Sequence, residues 1–126
     1  MLSAMDLFKM GSISIKKQFV LGQSGALSCS YNLEDSELFS VKWYKNDQEF
    51  YRFMPAFENR ASVFKVKGVE VDLELSDQND LYLKSIELDS KGAYKCEVST
   101  EAPDFFTGID LIRVKIYGEN IDTRHR

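Results

Sequence analysis

The sequence predicts an all-β fold, two antiparallel sheets packed face to face, and three observations predict it. Cys29 and Cys96, the only cysteines, bracket Trp43, the only tryptophan. Tyr94 stands two residues before the second cysteine in Gly92-Ala93-Tyr94-Lys95-Cys96. Short alternating segments, divided by turn-forming residues, recur along the whole chain.

Together these are the marks of an immunoglobulin-like β-sandwich. One sulfur on an early strand and one on a late strand clamp the two sheets, the indole packs on the bridge, and the tyrosine makes a corner bond at the start of the late strand. The chain of 126 residues suits one such domain, which needs about 100. The expected division is a poorly ordered leader at residues 1–10, the domain at residues 11–118 and a tail at residues 119–126.

Each strand follows from its alternation. Ser12-Ile13-Ser14-Ile15 and Phe19-Val20-Leu21 read as an edge segment, ended by Gly22-Gln23-Ser24-Gly25. In residues 26–31 period-2 spacing puts Leu27, Cys29 and Tyr31 on one inward face. Residues 32–37 are a polar loop, and residues 39–45 a strand with Val41 and Trp43 inward, Lys42 and Tyr44 outward. Asn46-Asp47 is turn chemistry, since both tolerate left-handed backbone. The chain returns through Glu49-Phe50-Tyr51-Arg52-Phe53, dense in aromatic rings.

Residues 62–66 read as a short strand and Gly68 as a turn. Val69-Glu70-Val71-Asp72-Leu73-Glu74-Leu75 alternates strictly enough to predict a strand with one apolar and one acidic face. Leu81, Leu83 and Ile86 form the next strand and its exit, and Leu88 is expected to cap the core below the turn at residues 89–92. Residues 93–99 are the late strand, with Tyr94, Cys96 and Val98 inward and Lys95, Glu97 and Ser99 outward. After a loop holding Pro103, Phe105 and Phe106 comes a last strand at residues 109–117. About nine strands result, which favours the variable-type sandwich.

Composition excludes several classes. At 44% hydrophobic, 13% aromatic and 29% charged, the chain is neither collagenous nor intrinsically disordered. Sixteen Lys and Arg face 20 Asp and Glu, and Lys16-Lys17 is the longest run of Lys and Arg, so the basic stripe of a nucleic-acid binder is missing. No stretch approaches the roughly 20 apolar residues of a membrane-spanning helix. Two cysteines permit one intramolecular bridge, which would stabilise by about 4 kcal/mol and requires an oxidising compartment. The opening residues do not read as a secretion signal, because they lack basic residues before an apolar run that Asp6 and Lys9 interrupt. The alternative compartment is the cytosol, with both thiols reduced.

Catalytic chemistry finds little material. His125, the only histidine, lies in the tail, and Asp72 and Glu74 have no neighbouring base. Asp77, Asn79 and Asp80 suggest a calcium loop, but Tyr82 and Leu88 stand where an EF-hand needs its glycine and its closing glutamate. No enzyme activity, metal or cofactor is expected.

Two strings narrow the likeness. Val41-Lys42-Trp43-Tyr44-Lys45 with Glu49-Phe50-Tyr51-Arg52-Phe53-Met54-Pro55, and the run from Ser90 through Cys96-Glu97-Val98-Ser99-Thr100-Glu101-Ala102-Pro103, resemble the first immunoglobulin domain of the beaten path family of arthropod neuronal proteins. Ser90 also stands where most variable-type domains carry an aspartate that pairs with a basic residue, and in this it is similar to that family. The resemblance implies an extracellular or cell-surface adhesion and axon guidance protein that binds a sidestep-type immunoglobulin-superfamily partner. It also implies a second immunoglobulin domain after the first.

Binding is expected on the exposed face of the sheet built from residues 39–45, 49–53, 93–99 and 109–117. Lys42, Tyr44, Lys95 and Glu97 belong to it by parity, joined either by Phe50 and Arg52 or by Tyr51 and Phe53, depending on register. Phe105 extends the patch, unless one ring of the Phe105-Phe106 pair folds back into the sandwich end. Tyrosine and arginine are frequent interface anchors, and a self-pairing homodimer is the competing use of the same face.

Overall fold

The computed structural model describes residues 13–116; the expected leader and the tail lie outside the described residues. Alternating side chains and short turns build eight strands: β1 (Ser14–Gln18), β2 (Gly25–Ser30), β3 (Leu38–Lys45), β4 (Gln48–Phe53), β5 (Ala61–Val63), β6 (Asp80–Leu83), β7 (Gly92–Thr100) and β8 (Thr107–Val114). They form a three-stranded sheet in the order β1-β2-β6 and a five-stranded sheet in the order β5-β4-β3-β7-β8, every ladder antiparallel. A ninth strand position is held by a single bridge, Val71 opposite Leu83.

The clamp is the predicted one. Cys29 on β2 and Cys96 on β7 are bonded between the sheets with Cα atoms 6.5 Å apart, and Trp43 on β3 pairs directly with Cys96. Leu27, Val41, Trp43, Leu81, Leu83, Tyr94 and Val98 fill the space around the bridge and are fully buried. The Tyr94 hydroxyl donates to the carbonyl of Ser90, which is the corner bond.

Local rules explain the turns. Asn46 and Asp47 both have positive φ, 50° and 69°, so β3 and β4 are joined by a two-residue hairpin turn whose twist matches the strands. Asn46 is held further by its own amide on the carbonyl of Ala93, and its Oδ1 accepts from the Ala93 amide at 2.9 Å.

Two expectations are corrected. Residues 69–75 do not continue as a strand past Val71. Asp72 Oδ1 accepts from the Glu74 amide, the Ser76 hydroxyl donates to the Asp72 carbonyl, and the Tyr82 amide donates to Ser76 Oγ. These side chains take the backbone bonds a ladder would need, and Leu73 and Leu75 are left exposed. Leu88 does not cap the core; it begins a 3-10 turn, Leu88–Ser90, and is exposed. Ser90 occupies the position under the corner instead: it is fully buried, donates to the Gly68 carbonyl at 2.7 Å and accepts from the Glu87 amide at 2.9 Å. A neutral hydroxyl thus does the joining at this corner, while Asp89 makes an exposed contact with Lys67 at 3.8 Å.

Candidate partner-binding surface

The outward side of the five-stranded sheet gathers five of the residues expected for binding. In the ladders, Lys42 lies opposite Arg52 on β4 and Glu97 on β7, and Tyr44 lies opposite Glu49 and Lys95. All of these alternate with core residues on their own strands, so the pleat turns them to the same side.

Their side chains form a connected set. The Tyr44 hydroxyl donates to Glu97 Oε1 at 2.7 Å, and Lys95 Nζ sits 4.5 Å from the centre of the Tyr44 ring. Lys95 Nζ also reaches Asp47 at 3.7 Å. Arg52 holds Glu49 with two bonds, Nε to Oε2 at 2.7 Å and Nη2 to Oε1 at 3.0 Å, and its guanidinium lies 5.2 Å from the Phe64 ring centre. The Tyr44 phenol is pushed well above its ordinary value, first by burial, then by donation to Glu97 and the negative charges of Glu97 and Glu49. It stays a neutral donor throughout the physiological range. Arg52 is raised too, chiefly by its bonds to Glu49. Tyr44 therefore stands as a fixed, amphipathic ring whose orientation is set before any partner arrives.

The aromatic run on β4 is placed differently from the expectation. Phe50, Tyr51 and Phe53 lie in the hydrophobic core, so they are not offered to a partner. The cause is a bulge: Trp43 pairs with Tyr51 but Tyr44 pairs with Glu49, which leaves Phe50 as an extra residue in β4. Consecutive Phe50 and Tyr51 both turn inward, and the Phe50 ring meets Tyr94 edge to face at 6.0 Å. The bulged backbone is held by the Phe64 amide, which donates to the Phe50 carbonyl at 2.9 Å.

The Phe105-Phe106 pair divides. Phe106 packs against the core cluster, and Phe105 is 71% exposed at φ 53°, at the tip of the loop between β7 and β8. That loop is tied down by the Ser36 hydroxyl on Asp104, by the Glu101 amide on the Glu37 carbonyl and by Thr100 bonding both backbone groups of Phe106.

Two aliphatic residues belong to the face that the sequence reading did not single out. Ile109 and Leu111 of β8 are 51% and 46% exposed and lie opposite Glu97 and Lys95. Parity from inward Val114 would have found them, since 109, 111 and 113 must then point outward. The result is a sheet face with charge and aromatic character in the middle and aliphatic character along one edge. Such a face can bind a protein surface by shape, hydrogen bonds and apolar contact.

Elsewhere there is little to support chemistry. Among the described residues no group of three or more His, Cys, Asp or Glu could hold a metal ion. No helix among them is long and apolar enough to cross a membrane. Lys45 is nearly buried on the core side of β3, donates to the Lys67 carbonyl at 3.1 Å and has its ammonium destabilised by that burial.

Comparison with known proteins gives a consistent picture. Residues 16–114 match the family profile described as immunoglobulin V-set domain. The V domain of amphioxus IgVJ-C2 has a similar structure, with a TM-score of 0.62 at 16% identity, covering 78% of this chain and 96% of that one. The first immunoglobulin-like domain of human CD48 antigen follows with a TM-score of 0.58 at 17% identity, covering 79% of this chain and 78% of that one. A chain in the crystal structure of mouse coronavirus receptor-binding domain complexed with its murine receptor gives 0.62 at 17% identity, covering 84% of this chain and 54% of that one. No match is found among the curated proteins.

Proposed function

The chain belongs to the immunoglobulin V-set family, and from that premise we propose that it is an extracellular adhesion or guidance module that binds another immunoglobulin-superfamily protein through the outward face of its five-stranded sheet. Domains of this family are typically extracellular binding modules rather than enzymes. The single observation that carries the reading is the pre-set Tyr44, bonded to Glu97 and covered on one side by Lys95, on the same sheet face as exposed Ile109 and Leu111, which lie across β7 from it. An ordered aromatic ring with a polar tip, next to aliphatic surface, is what interface hot spots are made of. The murine receptor, crystallised with a protein partner, supports reading this similar fold as a protein binder.

The finer proposal is that the chain is a beaten path-type first domain and its partner a sidestep-type receptor. The strings around Trp43 and Cys96 support it, as does Ser90 in place of the usual aspartate. Surface plasmon resonance against a panel of sidestep-type ectodomains tests it: a folded, disulfide-bonded sample is expected to bind at least one, and silence across the panel sinks the finer reading. The second reading is self-adhesion through the same face. Sedimentation of the purified chain separates the two, because a strict monomer at high concentration excludes homophilic pairing.

A further inference from the structure

The same face carries a pattern of charge that names the chemistry of its partner, and the inference rests on the binding reading above. β3 is the middle strand of the five, and Lys42 lies in its middle, so Lys42 is at the centre of the face. The charges on the rungs next to it are engaged. Arg52, directly opposite on β4, is held by both oxygens of Glu49; Glu97, directly opposite on β7, accepts from Tyr44; Lys95 is shared between the Tyr44 ring and Asp47. The Lys42 side chain has no hydrogen bond or ion pair among the described residues. On this face Lys42, Arg52, Lys95 and Arg113 stand against Asp47, Glu49 and Glu97, a net +1 in a chain whose net charge is −4.

We infer that Lys42 is the charge-reading residue of the interface and that its partner is a protein face presenting a carboxylate opposite it, set among apolar residues that cover Tyr44, Ile109 and Leu111. An ammonium at the centre of an interface loses its water on binding, and only an anion placed against it offsets that loss. The same argument disfavours a second copy of this chain. A two-fold axis through the middle strand would bring Lys42 against its own image, two like charges at the point of closest contact.

Binding of wild type, Lys42→Ala and Lys42→Glu to a sidestep-type ectodomain, measured at low and high salt, tests the inference, with melting curves for all three. The Lys42 side chain makes no hydrogen bond or ion pair in the free chain, so Lys42→Ala is expected to melt close to wild type, and Lys42→Glu, whose carboxylate stands opposite both Glu97 and Arg52, only slightly lower. Lys42→Glu is expected to weaken binding by about tenfold or more, Lys42→Ala by less, and the salt dependence of binding to fall in both. Wild-type binding with Lys42→Glu within about twofold of it overturns the inference while leaving the binding face standing. No binding of wild type to any sidestep-type ectodomain of the panel overturns the inference together with the finer reading of the partner.

Discussion

The Tyr44 hydroxyl donates to Glu97 Oε1 at 2.7 Å across the β3–β7 ladder, one register step from the pair that holds Trp43 to Cys96. The buried and exposed halves of the domain are therefore built on neighbouring rungs. Tyr44→Ala is expected to weaken partner binding by about 2 kcal/mol or more, as a hot spot does. Its cost to folding should be smaller, about 1 kcal/mol for the lost hydrogen bond, since the ring is only partly buried. Tyr44→Phe keeps the ring and should fall between wild type and alanine in binding. Resonance titrations beside calorimetry read both quantities; an equal loss of both in the alanine variant would move the interface elsewhere.

Glycines with nearly the same backbone should respond unequally to alanine. Gly22 and Gly68 have φ of +86° and +83°, yet a Cβ on Gly22 meets nothing within 4 Å and one on Gly68 would stand 2.0 Å from the Asp89 carbonyl oxygen. Gly22→Ala should cost only the left-handed backbone penalty, about 1–2 kcal/mol. Gly68→Ala adds a collision with backbone that cannot give way, and should cost several kcal/mol on the scale of overpacked sites, about 1–3 kcal/mol beyond the backbone term. Urea unfolding of the two variants compares them directly.

Ser90 offers a test of the corner. Ser90→Ala strands the Gly68 carbonyl and the Glu87 amide, and the expected destabilisation is about 1–3 kcal/mol, with partner binding unchanged. Denaturant midpoints check the first part and resonance the second.

Alkaline titration should reveal the buried phenols. Burial, with Asp77 adding to it, pushes Tyr31 and Tyr51 up to about 12, and both hydroxyls donate to carbonyls, of Gln78 and Asp77 respectively. The unfolded chain ionises these groups near pH 10. A raised value means that their contribution to stability is whole below about pH 10 and is lost as pH rises toward 12. Absorbance at tyrosinate wavelengths should show late ionisation of these phenols, coinciding with loss of the folded circular dichroism signal.

The bridge itself decides the compartment. Native alkylation followed by mass spectrometry is expected to add no label to Cys29 or Cys96, and replacing both by alanine to cost about 4 kcal/mol for a bridge spanning 67 residues. Label on the native product would favour the reduced, cytosolic alternative.

The frame of the domain was legible because it depends on singular residues: one tryptophan, two cysteines and a tyrosine at fixed spacing leave few other folds. Lys42, Tyr44, Lys95 and Glu97 were legible for the same reason, since each is one step from an anchored core residue. Phe50, Tyr51 and Phe53 were not. Alternation carries a period of two but no record of an inserted residue, and one bulge shifts the phase of all that follows. The segment after Val71 hid its ending in another way, because Asp72 and Ser76 compete for backbone bonds while leaving the hydrophobic pattern intact.

The extra residue in β4 also governs the opposite side of the sheet. On a regular strand, residues three apart face opposite ways, so Glu49 and Arg52 could never meet. With Phe50 inserted between them they share a side and close their two bonds. Without that insertion Arg52 would be a second loose cation next to Lys42. A change in strand length of one residue, with no outward side chain replaced, would rewrite what this domain presents to its partners, which makes insertion and deletion in this hairpin a route by which relatives could diverge in whom they recognise.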